Sequence, residues 1–140
     1  ANNVVPDRCR VVMEARSLDD AALATQVTAM LDALTWAATE HDCDVEVDVR
    51  AQYHAFSLSD DDPPVAMATR ALSACGFTPH HVRSGGGSDA AALIHSGFPA
   101  VNLCNDMIAI HTAGEKIAVA TLEGMVDVIL ALVSEAKGEA

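Results

Sequence analysis

Asp44-Val45-Glu46-Val47-Asp48-Val49-Arg50-Ala51-Gln52-Tyr53 alternates without a break over residues 44–53. Side chains on a strand point to opposite faces with a period of two. Val45, Val47, Val49, Ala51 and Tyr53 therefore share one side, and Asp44, Glu46, Asp48 and Arg50 the other. A strand of this kind belongs to a sheet with one wet face, which is the antiparallel habit. Upstream, residues 8–16 alternate as well, with Cys9, Val11, Met13 and Ala15 on one face. Between the two runs, Leu23, Val27, Met30, Leu31, Leu34 and Ala38 recur at helical spacing. Ser17 reads as the N-cap of that helix, Asp20 as its first-turn acid, and His41 as a residue at its end. The order so far is β-α-β, with residues 8–16 and 44–53 expected to pair antiparallel and residues 18–41 packed across them.

Downstream, Ser57-Leu58-Ser59-Asp60-Asp61-Asp62-Pro63-Pro64 breaks the alternation and reads as a linker over residues 57–64. The two prolines suit a helix entry, and Gly76 ends that helix after about Cys75. A short strand over residues 78–82 leads into Arg83-Ser84-Gly85-Gly86-Gly87-Ser88-Asp89. Then come an alanine-rich helix to His95 closed by Gly97, a buried strand over 98–104 and a loop over 105–113. A last amphipathic helix over about 120–136 carries Leu122, Met125, Val126, Ile129, Leu130 and Val133 on its apolar side. The fold class expected is α/β: half of an α+β sandwich with antiparallel strands (β-α-β), then the end of an α/β domain with helices on a sheet. Two strands under one helix make a poor independent domain, so the first half wants more strands than these residues supply.

Composition narrows the functions. Among 140 residues, 20 are acidic and 8 basic, for a formal charge of −12. No basic stripe exists to release counterions from a phosphate backbone, which argues against nucleic acid and against an anionic membrane as partners. With 51% apolar residues, the chain reads as a packed globule rather than a disordered one. No uninterrupted apolar run reaches the roughly 18 residues a membrane span needs. Ala1-Asn2-Asn3-Val4-Val5-Pro6 reads as neither a signal nor a transit peptide. Cys9, Cys43, Cys75 and Cys104 are too far apart for a Cys-x-x-Cys pair and read as buried thiols in a reducing, cytoplasmic setting.

The triglycine loop is the first candidate for chemistry. Between a strand and a helix, residues 84–89 offer backbone N–H groups and a helix N-terminus that together favour an anion. The loop lacks the Gly-Lys-Ser/Thr of a phosphate loop and the Gly-x-Gly-x-x-Gly of a dinucleotide site. A plain turn in which Ser88 or Asp89 caps a helix explains it equally well. Gly86-Gly87-Ser88-Asp89-Ala90 also fails as a serine-hydrolase elbow at its last position, although Ser88, Asp106 and His111 follow one triad order. No two histidines form His-x-x-x-His. His54, His80, His81 and His95 read as ordinary polar surface, while His111 stands in an irregular loop with Thr112 beside it and Glu115 four residues on.

Taken in order, these stretches carry a resemblance. Asn3-Val4-Val5-Pro6-Asp7, Glu14-Ala15-Arg16-Ser17, Gly85-Gly86-Gly87-Ser88-Asp89-Ala90, Gly97-Phe98-Pro99-Ala100-Val101-Asn102-Leu103 and His111-Thr112-x-x-Glu115 together resemble the C-terminal portion of a di-zinc exopeptidase family. That family includes tripeptidase T, carboxypeptidase G, aminoacylase and succinyl-diaminopimelate desuccinylase, and the likeness is greatest to its peptidase-T-like branch. The resemblance implies a zinc-dependent hydrolase of a small peptide or N-acyl amino acid, with two zinc ions in the complete protein and a homodimer contact through the lid. It assigns residues 1–56 to the second half of the lid and residues 65–140 to the C-terminal segment of the catalytic domain.

By the same resemblance, His111 corresponds to a zinc ligand. Asn3 and Arg16 correspond to a pair gripping the substrate's carboxylate or carbonyl, and Gly86, Gly87 and Ser88 to the wall of the cleft. The chemistry suits each: imidazole binds zinc, a guanidinium fork matches a carboxylate, and glycine lets a backbone approach a ligand. The family's other zinc ligands and its general base have no counterpart in these residues, so this chain alone is expected to be inactive. Cys104-Asn105-Asp106 departs from the glycine that relatives tend to place after the Asn-Leu pair. The alternative from another class is a non-catalytic α/β module binding an anion at the glycine loop.

Overall fold

A computed structural model describes residues 3–138. They form four helices, α1 (Asp20–Glu40), α2 (Pro63–Ala74), α3 (Asp89–His95) and α4 (Val119–Lys137). The chain divides into two compact units, Ala1–Arg50 and Ala51–Ala140.

The first unit is built around α1. Its N-cap is Asp19 rather than Ser17: the Asp19 carboxylate accepts from the Ala22 N–H at 2.7 Å, while the Ser17 hydroxyl accepts from the Asp19 N–H at 3.1 Å. A carboxylate is the better cap here because it also meets the positive end of the helix dipole. His41 is the C-cap. Leu23, Val27, Met30, Leu31, Leu34 and Ala38 are half-buried and every other residue of α1 is exposed. The helical period thus selected the inward stripe correctly.

The flanking segments 8–16 and 44–53 take no regular secondary structure and form no ladder. Among the described residues the one β interaction is an isolated antiparallel bridge between Ile108 and Lys116. The β-α-β lid and the strands expected at 78–82 and 98–104 are therefore not formed, and the described architecture is mainly helical. The physical reason lies in what alternation encodes. It fixes which side chains share a face, but the backbone N–H and C=O groups still need a second strand in register. The polar side chains of the alternation do pair with one another: Arg50 with Asp48 at 2.5 Å and Arg16 with Glu14, each two residues apart in the chain. Without a sheet, Phe98 is 64% exposed. The four cysteines are free thiols, but Cys9, Cys43 and Cys104 are exposed and Cys75 is only half-buried. Of the four, Cys9 and Cys104 belong to segments expected as strands, and these segments form no ladder among the described residues.

The second unit is organised by α2 against α4, the helix pair in contact among the described residues. Pro63 and Pro64 occupy the first turn of α2, where a missing N–H costs nothing. Val65, Ala68 and Ala71 form its buried stripe, and Val128 of α4 is fully buried. Arg70 Nε donates to Glu135 Oε2 at 2.7 Å along the same seam, with the Glu135 side chain 15% exposed.

Two helices stop in the same way. Gly76 and Gly97 adopt φ of 82° and 85°, and the following Phe77 and Phe98 N–H groups reach back to the Leu72 and Leu93 carbonyls at 3.0 and 2.9 Å. This pairing is the Schellman turn, which glycine enters without a Cβ clash. Phe77 then lies over α4, where a Cβ on Gly124 would sit 3.1 Å from its ring.

The inward side of α4 differs from the expected one. Thr121, Gly124, Met125, Val128, Ala131, Leu132 and Glu135 are buried or half-buried. Of the expected apolar set, Leu122, Val126, Ile129, Leu130 and Val133 are exposed and only Met125 is half-buried. α4 carries apolar residues on both sides, Val128 and Leu132 inward and Val126, Ile129 and Val133 outward, so periodicity alone names no single face. No helix among the described residues is long and apolar enough to cross a membrane.

Burial on α4 makes a direct prediction. Val128→Ala should lower unfolding stability by roughly 1.5–3 kcal/mol through lost transfer energy and a residual cavity. Ile129→Ala, at a residue 55% exposed, should stay within about 0.5 kcal/mol. Urea unfolding of both variants checks this, and the reverse ranking would mean that the other face of α4 is the buried one.

Candidate functional site

The glycine loop is held from three directions. The Gly86 N–H donates to Ser84 Oγ at 3.2 Å. A Cβ placed on Gly87 would fall 2.6 Å from Cδ2 and Cε2 of Tyr53, so the Tyr53 ring lies directly on the Gly87 backbone. Ser88 is the N-cap of α3, yet its hydroxyl does not cap the helix. It accepts instead from Asn102 Nδ2 at 2.8 Å, tying the loop to the segment after Gly97. Asn102 and Tyr53 are the partners that sequence reading missed. Both stood in quoted motifs, but period and spacing do not reveal a contact across 14 or more residues.

The anion reading of this loop fares poorly. α3 has seven residues, giving little aligned dipole, and Asp89 in its first turn already places a negative charge where an anion would sit. The arrangement is a fixed turn that exposes Gly85, Gly86 and Gly87.

The second cluster is the loop that presents His111. Its ends are closed by the Ile108–Lys116 bridge, with N···O distances of 2.9 and 3.1 Å. Asp106, Ala109 and His111 take left-handed φ values of 55°, 55° and 65°. That region costs an L-residue about 1–2 kcal/mol, so something must hold it. Thr112 Oγ donates to the Ala109 carbonyl at 2.8 Å and accepts from the Gly114 N–H at 3.1 Å. The His111 N–H donates to Glu115 Oε2 at 2.7 Å. The carboxylate therefore binds the backbone of His111 and not its ring. The exposed imidazole stands at the tip of a turn fixed from below.

Other histidines are more engaged than their reading as plain surface allowed. His81 Nδ1 lies 2.5 Å from Asp60 Oδ1 and its Nε2 lies 3.1 Å from Thr69 Oγ, so one imidazole links the 57–62 turn to α2. His54 and His95 stack with ring centroids 4.4 Å apart and planes 10° from parallel, joining the segment that carries Tyr53 to α3.

Of the remaining site residues, Asn3 lies in an exposed turn and Arg16 is exposed. The Arg16 guanidinium hydrogen-bonds the Glu14 carboxylate and lowers its pKa from the ordinary value through that bond and its charge. Asn3 and Arg16 belong to the first unit; Gly86, Gly87, Ser88 and His111 belong to the second. Within the second unit, no hydrogen bond or ion pair joins the glycine loop to the His111 loop among the described residues.

Zinc prefers three or four protein ligands. Among the described residues no group of three or more His, Cys, Asp or Glu side chains is placed to hold a metal. His111 with Glu115 does not make such a set, because the carboxylate is committed to the backbone. The residues present do not fit a zinc site by themselves.

Comparison with known proteins adds a fold-level relation. No family model matches the chain. The uncharacterized protein YqjE of Bacillus subtilis (strain 168) is 34% identical over 134 residues, covering 96% of this chain and 36% of that protein. The crystal structure of aminopeptidase PepT from Bacillus cereus ATCC 10987 matches with a TM-score of 0.69 and 36% identity, over 85% of this chain and 32% of that one. The chain thus spans about a third of the length of these relatives. Its fold matches part of an aminopeptidase, and kinship with peptidases holds at that coarse level.

The glycine loop supplies its own test. Gly87→Ala should force the Tyr53 ring off the loop, at roughly 1–3 kcal/mol of stability. Gly85→Ala meets nothing within 4 Å and should stay within about 0.5 kcal/mol. Urea unfolding, together with the ring resonances of the single tyrosine, reads both outcomes. Equal effects at the two positions would contradict the packing described.

Proposed function

We propose that this chain is part of a zinc-dependent metallopeptidase or amidohydrolase of the exopeptidase type, di- or tripeptidase-like. Its substrate is a small peptide or N-acyl amino acid with a free carboxylate. The observation that carries the reading is the 36% identity at a TM-score of 0.69 to part of an aminopeptidase. The ordered motifs around Asn3, Arg16, Gly86–Ser88 and His111 point the same way. In this reading residues 1–56 are the second half of a lid and residues 65–140 the C-terminal segment of a catalytic domain, joined by residues 57–64.

Two physical features support a larger architecture. Segments 8–16 and 44–53 carry strand patterns with no strand beside them among the described residues, and α4 shows a second apolar face to solvent. Both are what a sheet and helix layer look like when partner strands lie elsewhere in the polypeptide. His111 then contributes one ligand of a two-zinc site whose other ligands and general base come from outside these residues. Arg16 and Asn3 grip the substrate's carboxylate or carbonyl, the guanidinium exchanging Glu14 for the substrate as a bidentate partner. Gly86, Gly87 and Ser88 line the cleft, where Gly86 leaves its backbone open to a ligand and the Tyr53 ring packs on Gly87. A cytoplasmic location, in keeping with four free thiols, and a homodimer through the lid complete the proposal.

The test compares the 140-residue chain with a protein of the relatives' length containing it. The chain alone should hold no stoichiometric zinc and cleave no dipeptide, while the longer protein should do both and lose both on His111→Ala. Arg16→Ala in the longer protein should weaken binding of a carboxylate-bearing substrate by about 1.5–3 kcal/mol, the range for a hydrogen bond to a charged group. Wild-type zinc content and rate in the His111→Ala protein would overturn the reading.

A further inference from the structure

We infer that the cavity between the start of α2 and the end of α4 binds a free apolar amino acid, taken as its zwitterion. The cavity measures about 480 Å³, within the roughly 300–1,000 Å³ of small-molecule sites. Arg70 and Glu135 are its polar residues, and the rest of its lining is apolar, with Pro63, Pro64, Met67 and Pro99 prominent. Three of those four are proline rings on a fixed backbone, so this wall loses little freedom when a ligand settles on it. None of the cavity's residues is among Asn3, Arg16, Gly86, Gly87, Ser88 and His111, and the site does not depend on a zinc centre.

The charges decide the ligand. Arg70 Nε donates to Glu135 Oε2 at 2.7 Å. A guanidinium has five N–H donors in one plane. The four on its terminal nitrogens, like Glu135 Oε1, make no hydrogen bond among the described residues. The wall therefore offers a guanidinium fork and an open carboxylate oxygen together, with no net charge. A lone anion would meet Glu135 and a chain of formal charge −12, and a lone cation would meet Arg70. A molecule with a carboxylate and an ammonium on one carbon satisfies both, the carboxylate on the terminal nitrogens of Arg70 and the ammonium on Oε1. Glu135 stands in the last turn of α4, where the helix dipole also favours a cation. Its side chain is only 15% exposed, so water screens its charge less than that of a surface acid. The prolines and Met67 then cover an aliphatic or aromatic side chain. A peptide carries its two charges at opposite ends and does not place both on one ion pair.

The experiment follows the amide resonances of the isotope-labelled 140-residue chain during titration with L-leucine. Those of residues 65–70 and 135–136 should shift saturably, with a dissociation constant of about 1 mM or below. N-acetyl-leucine lacks the ammonium, leucinamide the carboxylate and glycine the side chain. Each of these, and leucyl-leucine, should bind about tenfold more weakly or worse. Arg70→Gln should weaken leucine binding by about tenfold or more, and Glu135→Gln should erase the preference for leucine over N-acetyl-leucine. The ligand series on the unmodified chain decides the matter even where a variant fails to fold. No saturable shift in these residues at about 10 mM leucine, ten times the expected constant, would overturn the inference. So would N-acetyl-leucine, leucinamide, glycine or leucyl-leucine binding as tightly as leucine, or a folded Arg70→Gln chain that binds leucine as the wild type does.

Discussion

The buried contact between α2 and α4 is the interaction on which the second unit depends. Val65, Ala68 and Ala71 present a stripe in which two of three residues are alanine, so the helices meet closely and Val128 loses all access to water. Arg70 and Glu135 close the same seam with an ion pair whose acidic partner is mostly covered. α2 in turn anchors the segments on either side of it. The Schellman turn at Gly76 throws Phe77 back over Gly124 of α4, and His81 returns to Thr69 of α2 while holding Asp60. The segment that leads into the glycine loop is thereby attached to a fixed pair of helices.

Much of this was legible in the sequence because it is local. Gly76 and Gly97 marked two helix ends, and each is followed by a phenylalanine that completes the turn. Pro63 and Pro64 marked a beginning. The six apolar positions of α1 from Leu23 to Ala38 are its six half-buried residues, while Trp36 on the same helix is 67% exposed. α4 departed from its expected face for a physical reason. It has apolar residues on opposite sides, and choosing between Val128 and Ile129 requires knowing what stands next to it.

The strands failed on the same ground. Val45, Val47 and Val49 announce a face, whereas a sheet also requires a neighbour for every N–H, and that neighbour is not encoded in the strand itself. The exposure of Cys9 and Cys104 reflects the missing sheet. At the candidate site, Gly87 and His111 could be named from motifs, while the Tyr53 ring on Gly87 and the Asn102 amide on Ser88 are long-range contacts invisible to spacing. Glu115 is intermediate: its distance of four residues from His111 was plain, but that it would bind the backbone rather than the imidazole depends on the left-handed turn at Ala109 and His111.

These observations converge on a chain whose loops are well fixed but whose apolar surfaces and strand patterns ask for more protein. Its relatives are about three times as long, and the part it matches belongs to an aminopeptidase fold. The most direct measurement is amide hydrogen exchange over residues 44–53, made on the 140-residue chain and on a protein of the relatives' length that contains it. The account predicts fast exchange along this segment in the chain alone and strong, alternating protection in the longer protein, where partner strands take up its N–H groups. Equal exchange in the two would contradict it, because residues 44–53 would then gain no strand partner from the rest of the protein.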